Sequence, residues 1–389
     1  MYDASFTFTP DQRAIRDAVQ KICDKFGEQY WMDAEREHRF PDEFVREMAD
    51  NGWLGIAMPV EYGGGGLCIT EAAIMMQTVG QHGGAATSSI NVNVFGLNPV
   101  VRHGTDEQKR RWLPPMIQGK DRAAFGVTEP NAGLDTSRIE TRAVRDGDHY
   151  VVNGRKMFTT TAQSANKFML ITRTTPREEC EKALDGLTLF YTDFDRSCIE
   201  ARQIEKFVRH AVDINAVFID NLKVPVEDRI GEEGRGFYYL LDGLNPERIL
   251  IGAEHVEKGR VVLNKAAEYA KERIVFDRPI GQNQAIAHPL AESWMELEAA
   301  NLMLFKAAAL YDRGEPCGPE ANAGKYLAAE ASFKAASNAM LTLGGYSVSS
   351  EFIVERFYRE AIIGRIAPVS LHMIKNYVAS NVLGLPKSY

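Results

Sequence analysis

Two short stretches of this 389-residue sequence carry residue types suited to chemistry. The first is Asn245-Pro246-Glu247-Arg248, followed by Ile249, Leu250 and Ile251. A neighbouring guanidinium favours the carboxylate form of Glu247, whereas apolar neighbours that strip away water favour the neutral acid. A general base needs that kind of tension. Asn245 is a good N-cap and Pro246 a good first-turn residue, so Glu247 is expected at the beginning of a helix or just past a kink in one. The structural alternative is a first-turn glutamate that only stabilises its own helix. The second stretch runs from Ala124 to Thr160. In AFGVTEPNAGLDTS, glycine, proline and asparagine bend the backbone and leave amides and hydroxyls free to grip a polar ligand, unless the bend is plain scaffold. Asn153-Gly154, between Tyr150–Val152 and Met157–Phe158, predicts a hairpin turn.

The elements that must position these stretches fall into three blocks, giving an α+β chain. Up to about residue 120 the pattern is helical. Thr9-Pro10 starts a helix with Ile15, Ala18, Val19 and Ile22 on one face, another opens at Pro41 with Phe44, Val45 and Met48, and Thr105 followed by Asp106 and Glu107, then Lys109, Arg110 and Arg111, is arranged as a helix dipole prefers. EYGGGGL at 61 to 67 lacks the lysine and Ser/Thr of a phosphate loop and reads as a flexible connection. From 121 to 230 the period shifts to two, with strands in HYVVNG, KFMLITRT, LTLFYTDF and AVFIDNLKVP. Four or more antiparallel strands there form a barrel or sandwich. From 231 to 389 long helices return, around 248–274, 288–313, 319–343 and 350–362. Short connectors between them predict a four-helix bundle.

Composition narrows the function. With 45% hydrophobic and 25% charged residues the chain reads as an ordinary globular protein, and a net charge of −8 argues against nucleic acid or an anionic membrane as the main partner. Five scattered cysteines without C-x-x-C, and eight histidines without H-E-x-x-H, give no support to a disulfide framework or a metal site. The opening residues lack signal or transit character, and no apolar run is long enough to span a membrane, so the expectation is cytoplasmic.

GVTEPNAGLD, NGRKMFTT, YAKERIVFDRPIGQNQAI and LTLGGYSVS occur in that order and together resemble the acyl-CoA dehydrogenase family. The resemblance covers nearly the whole chain. It implies FAD, an acyl-CoA substrate, an electron-transfer flavoprotein or similar acceptor, and a homotetramer serving fatty-acid or branched-acyl catabolism. It places Phe125, Val127, Thr128, Gly133, Leu134, Phe158 and Thr160 at the flavin. Arg273, Phe276 and Gln284 fall in the segment that reaches a neighbouring subunit's flavin, with Gly344, Gly345, Ser370 and His372 on the adenine side. Glu247 matches the proton acceptor of the long-chain and branched-chain members, with Asn245 and Arg248 toward the CoA arm. In other members the base lies near the C-terminus, but here RIAPVS puts Pro368 at that position. The family's thioester oxygen is also held by a backbone N–H there, which proline lacks. Leu134 replaces a usual serine, and Leu341, Ser347 and Ile362 also depart from the family pattern. The favoured expectation is α,β-dehydrogenation of an acyl-CoA thioester. The alternatives are a flavoenzyme of the same fold that does not desaturate (an oxidase, monooxygenase or C–S lyase) and a flavin-free binding scaffold.

Overall fold

A computed structural model describes residues 8–388; the leader reading above rests partly on residues 1–7, which lie outside the described residues. The N-terminal helices are α1 (Pro10–Cys23), α2 (Glu28–Glu37), α3 (Asp42–Asp50), α4 (Ile69–Gly80), α5 (Gly84–Phe95), α6 (Asn98–His103) and α7 (Asp106–Ile117). Thr9 caps α1 and Thr105 caps α7, each in a reciprocal capping box with a glutamine three residues on. Among the described residues no helix is long and apolar enough to cross a membrane.

The middle of the chain supplies β1 (Ala123–Gly126), β2 (Arg142–Asp146), β3 (His149–Thr160), β4 (Lys167–Arg173), β5 (Leu187–Asp193), β6 (Ile199–Gln203), β7 (Ile214–Pro225) and β8 (Arg229–Ile230). They form one sheet in the order β6-β7-β3-β2-β4-β5-β8, with β1 parallel to β4 and most other pairs antiparallel. Alternate residues of β4 and β5 enter two different cores. Met169, Ile171, Leu189 and Tyr191 pack with Trp112, Leu113 and Met116, while Phe168, Leu170 and Phe190 pack with Tyr150, Val152 and Val217. Both faces of these strands are buried, which is why they read as continuous apolar runs.

Two local expectations are corrected here. Asn153-Gly154 makes no hairpin: β3 runs through it, and its ladder to β7 continues from Tyr150↔Val224 to Arg155↔Phe218 with an irregularity between Val152 and Gly154. The turn between β2 and β3 is Asp146–His149, with Gly147 at φ 62°. The four-glycine loop is closely packed rather than loose. A Cβ on Gly64 would sit 2.2 Å from the Met58 carbonyl oxygen, and Gly65, Gly66 and Leu67 donate back to Gly55, Met58 and Ile56.

Beyond the sheet lie α8 (Gly236–Glu272), a two-stranded ribbon of β9 (Ile274–Val275) and β10 (Arg278–Pro279), α9 (Gln284–Asp312), α10 (Gly318–Leu343), α11 (Val354–Ala361), α12 (Ile363–Ile366) and α13 (Leu371–Tyr377). By backbone contacts the chain forms two compact units. One comprises the chain up to Asp33, Cys68–Thr87 and everything from Asn245 onward; the other comprises Ala34–Leu67 and Ser88–Leu244. In the first unit α4 is tied to α9. Asp312 accepts from the Ile69 and Thr70 amides, and Gln77 donates to Asn301 at 2.8 Å. Cys68, Glu71 and Asp312 converge there, but the two carboxylates serve as caps for α4.

Candidate functional site

In the helical unit, α8 carries Asn245, Glu247 and Arg248. Of the two expected placements the helix start is overturned, because α8 already begins at Gly236, and Glu247 instead directly follows Pro246 inside that helix. An interior proline removes one N–H from the helix ladder, and its ring crowds the carbonyl four residues earlier. Asn245 is therefore no N-cap; its Oδ1 accepts from Arg248 at 2.9 Å. Glu247 thus lacks the stabilisation a helix N-terminus would give its carboxylate. Its side chain is half-buried and accepts no hydrogen bond from the described residues. Burial pushes its carboxyl up to about 7, with Arg248 and Lys325 opposing. A carboxyl group so placed changes protonation state near neutral pH, as an acid–base catalyst must. Arg248 Nε is buried without a partner, and burial lowers the guanidinium's pKa. A buried donor of this kind is available to an acceptor on a ligand or an ordered water.

In the sheet unit, β1 and β3 bring together Phe125, Val127, Thr128, Phe158 and Thr160. Met157 N donates to Thr128 O at 2.8 Å, and Lys156 Nζ donates to Val127 O at 3.2 Å. The β3–β7 ladder is irregular between Lys156 and Thr159, and within that irregularity Phe158 adopts φ 57°. A positive φ is costly for an aromatic residue and here leaves the ring 59% exposed. Gly133 and Leu134 lie on the exposed loop after β1, and Leu134 is also 59% exposed. Exposed apolar side chains such as these suit the apolar face of a flat ligand.

Sequence reasoning missed Lys156. It is fully buried, with Nζ 2.8 Å from Glu129 Oε1. Burial pushes the Glu129 carboxyl up, but Lys156 and the Glu140 and Thr141 amides outweigh that and hold it below its ordinary value. Burial pushes Lys156 down to about 8, with Glu129 opposing. Tyr150, Val152 and Lys156 are all buried and share the parity of one strand face. Straight alternation would have found this lysine had the hairpin reading not interrupted the count.

The remaining residues are dispersed. Arg273 and Phe276 lie on the exposed connection from α8 to α9, with Phe276 93% exposed at φ 51°, and Gln284 is exposed as the first residue of α9. Gly344 and Gly345 are exposed at the end of α10, where Gly344 has φ 57°. Ser370 Oγ accepts from Met373 N and so caps α13, while His372 is exposed on its first turn.

Three family models match the chain: "Acyl-CoA dehydrogenase, N-terminal domain" over residues 9–120, the middle domain over 124–222 and the C-terminal domain over 234–379. The chain is 36% identical over 391 residues to the acyl-CoA dehydrogenase FadE12 of Mycobacterium tuberculosis, covering 100% of both. The glutaryl-coenzyme A dehydrogenase solved as its glutaryl-CoA complex superposes with a TM-score of 0.93 at 30% identity, over 98% of each chain. The prolyl acyl carrier protein oxidase AnaB superposes at 0.90 with 26% identity, over 97% of this chain and 100% of that one.

Proposed function

This chain belongs to the acyl-CoA dehydrogenase family, and from that premise we propose that it is an FAD enzyme that removes the α-proton and β-hydride of an acyl-CoA thioester. The observation that carries the reading is Glu247. It is a carboxyl group without a hydrogen-bonded partner among the described residues, held near a pKa of 7 by burial and flanked by a buried, unpaired Arg248 Nε. FAD, when bound, supplies the acceptor for the β-hydride. The residues proposed to hold it are Phe125, Val127, Thr128, Gly133, Leu134, Phe158 and Thr160, with Arg273, Phe276, Gln284, Gly344, Gly345, Ser370 and His372 serving the same cofactor from their own segments. The exposed Phe158 ring on its strained backbone fits a planar ligand.

An unactivated Cα–H is too weakly acidic for an ordinary carboxylate. Burial raises the basicity of Glu247, and hydrogen bonds to the thioester oxygen must stabilise the charge that develops as the proton leaves. Arg248 and Asn245 are assigned to the CoA side. An electron-transfer flavoprotein or similar acceptor, and a homotetrameric cytoplasmic protein, complete the proposal.

A second reading, a flavoenzyme of the same fold that does not desaturate a thioester (an oxidase, monooxygenase or C–S lyase), is favoured by Pro368 and by the likeness to an oxidase. Anaerobic mixing with a panel of acyl-CoA thioesters separates the two: bleaching of the flavin with formation of enoyl-CoA supports the dehydrogenase, and flavin that stays oxidised with every thioester rejects it. Glu247→Gln is expected to slow that reduction by about 10²–10⁴-fold with FAD content unchanged. Unaltered reduction removes Glu247 from its role.

A further inference from the structure

Proton abstraction by Glu247 does not explain a buried cation on α10. Lys325 on α10 is 1% exposed and shares a helix face with Ala321, Ala328, Ala329 and Ser332, all buried. Its Nζ donates to the Gly364 carbonyl at 2.6 Å and to the Val369 carbonyl at 2.7 Å. Those acceptors bracket Arg365–Pro368, and Lys325 forms no ion pair among the described residues. Burying an ammonium group against neutral carbonyls is an expensive way to fasten a loop, since a neutral donor would do so without desolvating a charge.

The fastened segment is the one in which a backbone donor is missing. Pro368 has no N–H, and the next amide, Val369 N–H, is donated to no atom among the described residues. Glu247 and Arg248 both act on Lys325 through space, so the clamp lies in the same neighbourhood as the proposed proton acceptor. Burial lowers the Lys325 ammonium to about 8, Arg248 adds to that and Glu247 resists it.

We propose that Lys325 is a positioning residue. By gripping the Gly364 and Val369 carbonyls it fixes the intervening turn so that Val369 N–H, in place of the donor lost at Pro368, is presented to the thioester oxygen. The inference rests on the dehydrogenation reading for its catalytic half and on geometry alone for its positioning half. In a neutral variant the turn is free to rotate about its own backbone, and a donor displaced by a fraction of an ångström no longer meets the oxygen as charge develops on it.

The test uses the full-length FAD-loaded protein and the variants Lys325→Met and Val369→Pro. Amide hydrogen exchange of the substrate-free protein is read in peptides spanning 364–370. Lys325→Met is expected to accelerate it by about tenfold or more while exchange along α8 stays at the wild-type rate. Unchanged exchange overturns the clamp. Turnover is then read with whichever thioester the wild type oxidises: Lys325→Met is expected to lower kcat by about 100-fold with KM within about threefold. Val369→Pro, which deletes the donor while retaining the lysine, is expected to do the same. A wild-type kcat in either variant overturns the assignment of the donor, even where exchange has accelerated. Failure of the wild type to form enoyl-CoA from any thioester rejects the reaction itself, and the exchange result still decides the clamp.

Discussion

The two units each bury a lysine that grips a loop, and they treat its charge in opposite ways. In the sheet unit Lys156 holds the Val127 carbonyl and meets the Glu129 carboxylate, which the Glu140 and Thr141 amides also bind. Every charge there has a counterpart, so the bend after β1 is a finished electrostatic unit. In the helical unit Lys325 holds two carbonyls and has no ion pair among the described residues; the acid acting on it, Glu247, is itself half-buried with a carboxyl near pKa 7. The same residue type thus serves as a neutralised strut in one region and as an unneutralised neighbour of a proton acceptor in the other. The difference teaches that burial of a lysine does not by itself indicate a role: its partners do.

The largest effect that would break this comparison is on stability. Lys156→Met strands Glu129 in the interior and is expected to cost about 3–5 kcal/mol, read as a fall in the denaturant midpoint, with part of the loss recovered by Lys156→Met/Glu129→Gln. Lys325→Met should cost distinctly less, because it strands only carbonyls; a loss equal to that of Lys156→Met would erase the distinction. A smaller effect is expected from Gly154→Ala. The new Cβ would lie 2.6 Å from Thr141 Cα at a φ of 155°, beside the Glu129 anchor but leaving the ion pair intact, for a cost of about 1–3 kcal/mol. The smallest and most discriminating effect is on pH dependence. Glu247 must be ionised to accept a proton and burial raises its pKa, so kcat/KM is expected to climb with pH through about 7. Lys325 is one of the two cations holding that value down, the other being Arg248. Its replacement by Met should therefore move the inflection upward, whereas Lys156→Met should leave it in place. A pH profile unchanged in Lys325→Met would place the cation outside the reach of the base.

Much of the fold was legible in the residues. Thr9 announced its helix through capping, the charge order after Thr105 announced another, and the switch to period two marked the sheet, because these signals depend on neighbours a few residues away. The misreadings share a cause, since in each a long-range contact overrides a local rule. Asn153-Gly154 has the composition of a turn, yet β3 is held extended on both sides of it by β7, some sixty residues later in the chain. Asn245-Pro246 has the composition of a helix start, yet packing of Leu240 in the sheet-side core accompanies a helix that begins upstream. At the candidate site, Glu247 was visible from its sequence context. Lys156 was hidden only by the interrupted strand count, whereas Lys325 was not visible, because a buried cation is recognised by the acceptors that surround it, and Gly364 and Val369 are remote from it in sequence.

The discontinuous make-up of the helical unit bears on how the protein is made. Ten of the twelve residues of α4 are buried, yet the Asp312 oxygens that cap it and the Asn301 that receives Gln77 belong to the far end of the chain. On the ribosome this oily segment emerges long before its shelter is translated, and the intervening sheet must mature while α4 waits. Until α9 is translated α4 has chiefly α1 to cover it, and a chain cut short before α9 is expected to expose apolar surface rather than form a smaller working protein.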